Sequence, residues 1–583
     1  MEQFADFSSI KRIKIYYIAL IIISVSISLR LFYLQVIKHD YYENLALSSQ
    51  LKQFEIPADR GGIYAYDGTE IVPLVLNETR YRIVADPKII SDKEKTAKSL
   101  ESVVNIPADQ IKSLFERDSR YEIVANKQTK EIKDKIDALK LAGIFTNEKV
   151  PLRVYIQGSI AGQILGFVND EAEGNYGIEQ FFDDELTGTP GRVKALTDQN
   201  NVPLLATSDN LLVDPVDGKD VVLTIDVAMQ RQVEEILKSG LDKALSGSGS
   251  IIIMDPRSGA IKAMANYPSY DPAKFSEVEN PALFTNPSVS EPLEPGSIMK
   301  TLTTSAALDS GSVSAEQTYF DPSFFRVDDA TVKNIEEDGG AATRSISDIL
   351  QFSLNTGATW LLMQMGDGEL NEQGRKVWHD YMTNHFGLGS LTGIEQGYEA
   401  EGIVPDPSEG YGLNIQYANT AFGQGMTATP LQMVTALSAV LNGGTYYRPT
   451  LISGTTNEIG DIEPTKPDVL KSNVVQKSTS DTLIKFMNNV ASKNNKTSTR
   501  EGYQVGGKTG TAEIANPNGG YYEDKFNGTY LGYVGGDVPE YAIFVRVNEP
   551  KIGGYAGSKA AGPIFSSLTN MLIDNFTVSR ISN

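Results

Sequence analysis

The first pattern along the chain is an apolar N-terminal segment. Residues 15–29 are apolar except for three serines, and apolar positions continue beyond Arg30 to Ile37. A helix over residues 15–29 would be about 22 Å long, whereas one over residues 15–37 would be about 34 Å long, enough for a hydrocarbon core of about 30 Å. The pattern therefore predicts a transmembrane helix over residues 15–37, with Arg30 near an interface or facing a partner helix.

Basic residues before this helix predict its orientation. Lys11, Arg12 and Lys14 precede the apolar segment, and the positive-inside rule places such residues in the cytoplasm. We therefore expect residues 1–14 to form a cytoplasmic tail and the chain after about residue 38 to lie on the extracytoplasmic side of the membrane. A cleaved signal peptide is the alternative, but no small-x-small cleavage site follows residue 29. The segment is thus predicted to remain as an anchor.

Residues 38–216 show strand-like runs separated by turn residues, such as Tyr81-Arg-Ile-Val-Ala85 and Val150-Pro-Leu-Arg-Val-Tyr155. Between these runs, residues 92–147 are rich in Lys and Glu and carry apolar residues at helical spacing, which is typical of small helices with a solvated face. The segment Asp214-Pro-Val-Asp-Gly-Lys219 is typical of a linker. We therefore interpret residues 38–216 as a membrane-proximal domain.

The remaining part, residues 217–583, has sharper signals. Apolar runs at 221–225 and 251–254 predict buried strands, and residues 228–244 predict an amphipathic helix between them. Two more strands are predicted at 529–534 and 541–547, joined as a hairpin. Sequential strands joined by hairpins, with helices between them, indicate an α+β domain with an antiparallel sheet flanked by helices.

Composition narrows the chemistry. The 583 residues include 52 basic and 74 acidic side chains, a net charge of −22, which argues against a nucleic-acid partner because phosphate binding needs clustered cations. The absence of Cys excludes disulfides, thiolate nucleophiles, zinc–cysteine sites and iron–sulfur clusters. None of the three histidines, His39, His379 and His385, lies in a catalytic motif. A hydrolase or acyl transferase of this composition would use another base.

The first catalytic candidate is Ser297 in Glu294-Pro-Gly-Ser-Ile-Met-Lys300, at the start of a predicted helix. Ser297 and Lys300 are three residues apart, so their side chains share one helical face. Desolvation beside other cations favours the neutral amine of a lysine, which could then accept the serine proton. The spacing alone is weak, because Ser8-Ser-Ile-Lys11 and Ser49-Gln-Leu-Lys52 also have it.

Two further motifs follow. In Ser353-Leu-Asn355, a hydroxyl for proton relay and a carboxamide for a substrate amide can share one turn, although Ser208-Asp-Asn210 and Ser492-Lys-Asn494 have the same spacing. The segment Lys508-Thr-Gly-Thr511 combines a positive charge, hydroxyls suited to a carboxylate and a glycine that permits close backbone approach. Neither motif identifies a function when taken alone.

The order of the three motifs carries more weight. Ser353 follows Ser297 by 56 residues and Lys508 follows Ser353 by 155, in the order typical of penicillin-binding proteins and serine β-lactamases. The chain resembles class B penicillin-binding proteins, which are peptidoglycan D,D-transpeptidases. Further motifs extend the resemblance over nearly the whole length: Arg60-Gly-Gly-Ile-Tyr-Ala-Tyr-Asp-Gly68, Gly177-Ile-Glu179, Leu186-Thr-Gly-Thr-Pro-Gly191, Leu223-Thr-Ile-Asp226, Met254-Asp-Pro-Arg-Ser-Gly259, Gly423-Gln-Gly425 and Thr429-Pro-Leu-Gln432.

The resemblance implies catalytic roles. Ser297 would attack the penultimate D-Ala of a stem peptide and form an acyl-enzyme, with Lys300 accepting its proton. Ser353 and Lys508 would pass a proton to the leaving amine. The backbone N–H groups of Ser297 and Thr511 would form an oxyanion hole.

Substrate-binding roles are implied in the same way. Asn355 would hold the donor backbone, and Thr509 and Thr511, on either side of Gly510, would bind the terminal carboxylate that β-lactams mimic. The amine of a second stem peptide would resolve the acyl-enzyme and form the cross-link. The resemblance implies neither a metal nor an organic cofactor.

The resemblance also implies an architecture and partners. A single transmembrane helix would be followed by an elongated pedestal or dimerisation domain over residues 38–216 and a transpeptidase domain over residues 217–583. Arg60 and Glu179 are a candidate ion pair in the pedestal, and Gly423-Gln-Gly425 is expected to form a turn beside the cleft. The membrane helix and pedestal would dock a polytopic glycosyltransferase and other cell-wall synthesis proteins.

Alternative functions remain. A D,D-carboxypeptidase or β-lactamase would share the motifs but pass the acyl group to water, and no deacylating base can be assigned for a β-lactamase. A β-lactam sensor usually has more transmembrane segments, and a non-catalytic penicillin-binding scaffold would not need Ser297, Lys300 and Lys508. Among transpeptidases, a septal, division-type enzyme is favoured over an elongation-type one.

Overall fold

A computed structural model describes residues 6–39, 41–42, 51–196, 211–334, 340–410, 412–457, 459–516 and 519–582. The chain divides into two compact units, one of Met1–Asp59 with Thr187–Gly218 and the other of Arg60–Leu186 with Lys219–Asn583. Most of the predicted pedestal thus packs in the same unit as the predicted transpeptidase domain. The exact domain ranges stay a prediction.

The smaller unit contains the apolar N-terminal helix and a three-stranded antiparallel sheet. The helix Asp6–Phe32 continues into a π-helical turn, Tyr33–Ile37. Within the described residues, Lys14–Ile37 is the one stretch long and apolar enough to cross a membrane, and it matches the predicted helix over residues 15–37. Residues 1–5 of the predicted cytoplasmic tail lie outside the described residues. The strands, in spatial order, are Leu51–Ile56, Gly191–Leu196 and Leu211–Val213.

A mixed sheet joins the two parts of the larger unit. Val221–Asp226 runs parallel to Ile63–Asp67, so the first strand after the predicted linker continues the pedestal sheet. The predicted strands at 81–85 and 150–155 lie inside longer strands of this sheet. Its described strands, in spatial order, are Ile462–Pro464, Ile452–Thr456, Val221–Asp226, Ile63–Asp67, Glu70–Ala85 and Glu122–Gln128, with Ile144–Tyr155 also paired to Glu70–Ala85.

A second sheet is antiparallel and buried on both faces. Ile252 and Met254 belong to one apolar core, whereas Ile251 and Ile253 belong to another. Successive side chains of a strand point to opposite faces, so a strand covered on both sides is apolar throughout. The predicted strand at 251–254 and the predicted hairpin are therefore confirmed. The described strands are, in spatial order, Ile261–Tyr267, Ser248–Met254, Pro539–Asn548, Tyr521–Gly535 and Gln504–Ala515.

Small hairpins and helices cover these sheets. The two-stranded pairs are Thr318–Asp321 with Ala342–Ser345, Phe324–Val327 with Ala330–Lys333, Thr445–Tyr447 with Val469–Ser472, and Phe167–Val168 with Gly174–Asn175. The described α-helices of the larger unit are Lys93–Val104, Ala108–Phe115, Lys130–Ala138, Gly162–Leu165, Gly177–Phe181, Asp183–Thr187, Val227–Ala244, Pro287–Ser290, Met299–Asp309, Ile346–Gln351, Asn355–Gln364, Glu372–Asp380, Leu413–Thr420, Pro430–Leu441, Lys477–Asn494 and Gly562–Asn575. This mixture confirms the predicted α+β class.

Local sequence determines where the central helices begin. Asp226 caps Val227–Ala244, because its carboxylate accepts the N–H of Met229 at 2.8 Å. In the Thr429-Pro-Leu-Gln432 motif, the side chains of Thr429 and Gln432 each accept the other's backbone N–H. This capping box begins a helix whose every residue is buried.

A buried ion network stabilises the pedestal part of the larger unit. The fully buried Glu179 contacts Arg60 at 2.7 Å and Arg153 at 2.9 Å. Arg60 also contacts Asp183 at 2.7 Å. The predicted Arg60–Glu179 ion pair is confirmed, and the structure adds two partners that the sequence did not indicate.

Candidate active site

Ser297 lies in a single 3-10 turn directly before the helix Met299–Asp309. Gly296 has φ +62°, and a Cβ there would be 2.8 Å from the carbonyl oxygen of Thr511, so this turn requires glycine. The N–H of Gly296 donates to the carbonyl oxygen of Gly423 at 2.9 Å. The predicted Gly423-Gln-Gly425 turn therefore lies beside the nucleophile candidate and helps to hold it.

Lys300 extends from the first turn of this helix and is fully buried. Its Nζ is 3.0 Å from Oγ of Ser297, 3.2 Å from Oγ of Ser353 and 2.7 Å from Oδ1 of Asn355. The ring of Phe422 lies 5.9 Å from the same nitrogen. An amine in this position can exchange a proton with either hydroxyl without moving.

The hydroxyl of Ser353 lies between two lysines. Nζ of Lys508 is 2.9 Å from Oγ of Ser353, and Lys300 approaches the same oxygen. Ser353 has φ +57°, a left-handed conformation that costs a residue with a side chain roughly 1–2 kcal/mol. In this conformation, its carbonyl oxygen also contacts Lys300, at 2.5 Å. The strained turn directs both oxygens of Ser353 towards the amines.

The third motif lies on the edge strand Gln504–Ala515. Lys508 is only 2% exposed, whereas Thr509 and Thr511 are partly exposed. A Cβ at Gly510 would be 2.2 Å from Oγ1 of Thr529 and 2.9 Å from the carbonyl oxygen of Pro295, which is the close approach that the sequence predicted. The hydroxyl oxygen of Thr511 accepts the N–H of Gly557 at 3.1 Å, which leaves its proton available to an acceptor.

The structure thus brings together all five residues predicted as catalytic. A continuous line of contacts runs from Oγ of Ser297 through Nζ of Lys300 and Oγ of Ser353 to Nζ of Lys508. Asn355 contacts the same amine of Lys300. The three residues predicted to bind substrate follow Lys508 directly on the edge strand. Their individual roles stay predictions.

Glu294 is a neighbour of Ser297 that sequence reasoning left without a role. Its Oε1 accepts the N–H of Gly425 and the hydroxyl of Tyr521, each at 2.9 Å. Burial raises the pKa of the Glu294 carboxyl, opposed by these two bonds, and the negative charge of Glu513 raises this pKa further. Glu294 stands in the first motif, but its partners are 131 and 227 residues away, so local patterns could not reveal them.

Asp321 is a second group that the sequence did not indicate. It is fully buried and contacts Asn334 and Thr356, next to Asn355. The signal for this group in the sequence was an acidic residue at the end of a short strand, Thr318–Asp321, which also contains a buried tyrosine. Such a position is too common to identify from sequence alone.

Two family descriptions match the chain. "Penicillin binding protein transpeptidase domain" matches residues 249–570, and "Penicillin-binding Protein dimerisation domain" matches residues 55–223. Stage V sporulation protein D of Bacillus subtilis is 30% identical over 559 residues, which are 94% of this chain and 83% of the relative. Peptidoglycan D,D-transpeptidase FtsI of Escherichia coli K12 is 27% identical over 550 residues, 92% of this chain and 87% of the relative.

Solved structures share the fold. Penicillin Binding Protein 2X from Streptococcus thermophilus aligns with a TM-score of 0.73 and 22% identity, over 90% of this chain and 80% of that one. A peptidoglycan synthetase from Bifidobacterium adolescentis aligns with a TM-score of 0.71 and 25% identity, over 91% and 98% of the two chains. The similarity covers both predicted extracytoplasmic parts.

Proposed function

Because the chain belongs to the penicillin-binding protein transpeptidase family, class B, we propose that it is a serine D,D-transpeptidase that cross-links peptidoglycan stem peptides. The observation that carries the proposal is the line of contacts from Ser297 through Lys300 and Ser353 to Lys508. It supplies a nucleophile and a proton route without histidine. The similarity to a protein named D,D-transpeptidase supports the same reaction.

The first half-reaction forms an acyl-enzyme. Oγ of Ser297 attacks the carbonyl carbon of the penultimate D-Ala, and its proton passes to Nζ of Lys300, 3.0 Å away. An ester bond to Ser297 forms and the bond to the terminal D-Ala nitrogen breaks. The departing amine takes a proton from the hydroxyl of Ser353, which Lys508 replaces across 2.9 Å. Charge and protons therefore balance within this cluster.

Backbone and hydroxyl groups hold the donor peptide. The N–H groups of Ser297 and Thr511 stabilise the oxyanion, and loss of one such donor typically costs roughly 3–4 kcal/mol of transition-state stabilisation. Asn355 binds the donor backbone. Thr509 and Thr511 bind the terminal carboxylate, and Gly510 lets the strand approach closely. A β-lactam carries an equivalent carboxylate and acylates the same serine.

The second half-reaction decides between cross-linking and hydrolysis. In a transpeptidase, the amine of a second stem peptide attacks the ester carbon, and the proton that it releases passes through the hydroxyl of Ser353 to Lys508. An amide bond forms, the ester bond to Ser297 breaks, and Oγ of Ser297 recovers a proton from Lys300. In a carboxypeptidase, water attacks instead. Incubation with a stem peptide and an acceptor amine, followed by mass analysis, should give the amide as the main product; hydrolysed peptide alone would contradict transpeptidation.

Labelling with a fluorescent penicillin tests the nucleophile. We expect the full chain to be labelled and Ser297→Ala to remain unlabelled with an unchanged melting temperature. Ser305→Ala is a matched control, because Ser305 is buried in the same helix and its hydroxyl has no hydrogen-bond partner among the described residues. Labelling of the Ser297 variant would show that another residue is the nucleophile. Absence of labelling in the unchanged chain would favour a non-catalytic scaffold.

The proposed location follows from the N-terminal helix. Residues 15–37 anchor the protein in the cell membrane as a single pass, with the N-terminus in the cytoplasm and the catalytic unit outside. Protease added to intact spheroplasts should degrade the catalytic unit but not a tag at the N-terminus. Degradation of the tag and protection of the catalytic unit would contradict this orientation.

We assign the enzyme to septal cell-wall synthesis, and the similarity to FtsI supports this choice over an elongation role. The membrane helix and pedestal are proposed to bind a polytopic glycosyltransferase and other proteins of the synthesis complex. A fluorescent fusion should concentrate at division sites. An even distribution along the lateral wall would instead favour elongation.

A further inference from the structure

Asp321 is a fully buried carboxylate that has three hydrogen-bond donors. Its Oδ1 accepts the N–H of Ser323 at 2.9 Å and the hydroxyl of Thr356 at 2.8 Å. Its Oδ2 accepts Nδ2 of Asn334 at 2.9 Å. Burying a carboxylate is costly unless donors surround it, so these bonds determine the orientation of the groups around Asp321.

The carboxylate determines which way the Asn334 amide points. Its NH2 group must face Asp321, because an amide oxygen there would meet another acceptor. Oδ1 of Asn334 consequently faces Thr356 and accepts its backbone N–H at 3.1 Å, with the Thr356 hydroxyl at 2.9 Å. The pair thus holds the backbone directly after Asn355.

The same segment also holds the side chain of Asn355. The carbonyl oxygen of Lys333, next to Asn334, accepts Nδ2 of Asn355 at 3.2 Å. Oδ1 of Asn355 is thereby directed to Nζ of Lys300, 2.7 Å away. With the amide reversed, its NH2 group would face the amine of Lys300, which in its charged form is only a donor.

We infer that Asp321 and Asn334 are a positioning pair that orients the carboxamide of Asn355 and, through it, the amine of Lys300. The inference rests on the proposed function, in which Lys300 accepts the proton of Ser297. Neither member of the pair contacts the nucleophile or the reacting atoms. Their effect is on the rate at which a correctly bound substrate acylates the serine.

Exchanging the two side chains tests the pair. At position 321, Ser323, Thr356 and Asn334 all donate hydrogen bonds. In Asp321→Asn, the new NH2 group therefore faces at least one of these donors in either orientation of the amide. In Asn334→Asp two carboxylates face each other. The double exchange again places one amide against one carboxylate, with the direction of their bond reversed, and keeps acceptors for Ser323 and Thr356.

We expect each single variant to lower the limiting acylation rate constant, measured at saturating fluorescent penicillin, by at least tenfold. The double variant should recover to within about threefold of the unchanged chain. Asp309→Asn is a matched control, because Asp309 accepts bonds from Gln476, Thr479 and Tyr381 without contacting the site. It should lower the melting temperature but leave the acylation rate unchanged.

The milder Asn334→Ala keeps two donors on Asp321 and covers the case in which the exchange variants fail to fold. It should fold and lose at least tenfold in the same rate constant, with little change in the concentration of penicillin at half-saturation. Folded single variants that acylate at the normal rate, or a folded double variant as slow as the single ones, would overturn the inference. Failure of the unchanged chain to label would instead overturn the proposed function.

Discussion

Replacing Lys300 with Met tests whether an amine activates Ser297. Met is unbranched and similar in length, so it can occupy the fully buried position without a change of shape. The substitution removes the nitrogen that lies 3.0 Å from Oγ of Ser297 and 2.7 Å from Oδ1 of Asn355. The nucleophile stays in place but loses its proton acceptor.

The size of the effect follows from these contacts. A positioned base contributes about 10²–10⁴-fold to a rate, which corresponds to roughly 3–5 kcal/mol at about 1.4 kcal/mol per factor of ten. Lys508 contacts the hydroxyl of Ser353, 2.9 Å away, and so stands further along the line of contacts from Ser297 than Lys300 does. We therefore expect Lys300→Met to lose 10²–10⁴-fold in acylation and Lys508→Met to lose less.

The assay is a time course of labelling with fluorescent penicillin at several concentrations, which gives the second-order acylation rate constant. Circular dichroism and thermal unfolding establish that each variant is folded at the assay temperature. The acylation rate constant of folded Lys300→Met could instead lie within about tenfold of that of the unchanged chain. Such a loss is smaller than a positioned base contributes, and it would show that Lys300 is not the base. A larger loss in Lys508→Met would assign that role to Lys508.

Two further predictions concern stability. Glu179→Ala leaves Arg60 and Arg153 buried without their shared carboxylate and should cost about 3–5 kcal/mol of unfolding free energy, seen as a lower denaturant midpoint; a loss similar to that of the exposed Glu171→Ala would contradict this network's role. Burial raises the pKa of Glu294 above 4.5, so the folded state binds its proton more tightly than the unfolded state. Stability should therefore fall as pH rises from 4.5 towards the raised pKa, and Glu294→Gln should remove this part of the decline. If the melting temperatures of the unchanged chain and Glu294→Gln changed with pH in parallel, this prediction would be refuted.

Much of the fold could be predicted because local patterns report burial. Strict apolar runs indicated the strand at 251–254, which is covered on both faces. The amphipathic pattern over 228–244 indicated a helix that the structure has at Val227–Ala244. The parallel pairing of Val221–Asp226 with Ile63–Asp67 was not predicted, because strands about 158 residues apart carry no local mark of being neighbours.

For the candidate site, too, some features could be predicted from the sequence and others could not. The residue types and the order of the Ser-x-x-Lys, Ser-x-Asn and Lys-Thr-Gly motifs are properties of the sequence, and so is the ion pair proposed between Arg60 and Glu179. The partners Arg153 and Asp183, and the contacts of Glu294 and Asp321, emerged only from the fold. A buried polar group needs specific hydrogen-bond partners, and those partners depend on how distant segments pack.

Residue types and their spacing were enough to predict the membrane-length apolar helix, the main strands and helices, and the chemical groups available for catalysis. These features depend on the spacing of apolar and polar residues within one segment. Helix or strand geometry and solvent exposure impose that spacing locally. The folded chain was needed to show that Lys300 lies between two hydroxyls, that Lys508 contacts Ser353, and that a buried carboxylate contacts the residue after Asn355. Those distances are set by the packing of a helix, a turn and an edge strand against one another, which apolar periodicity leaves undetermined.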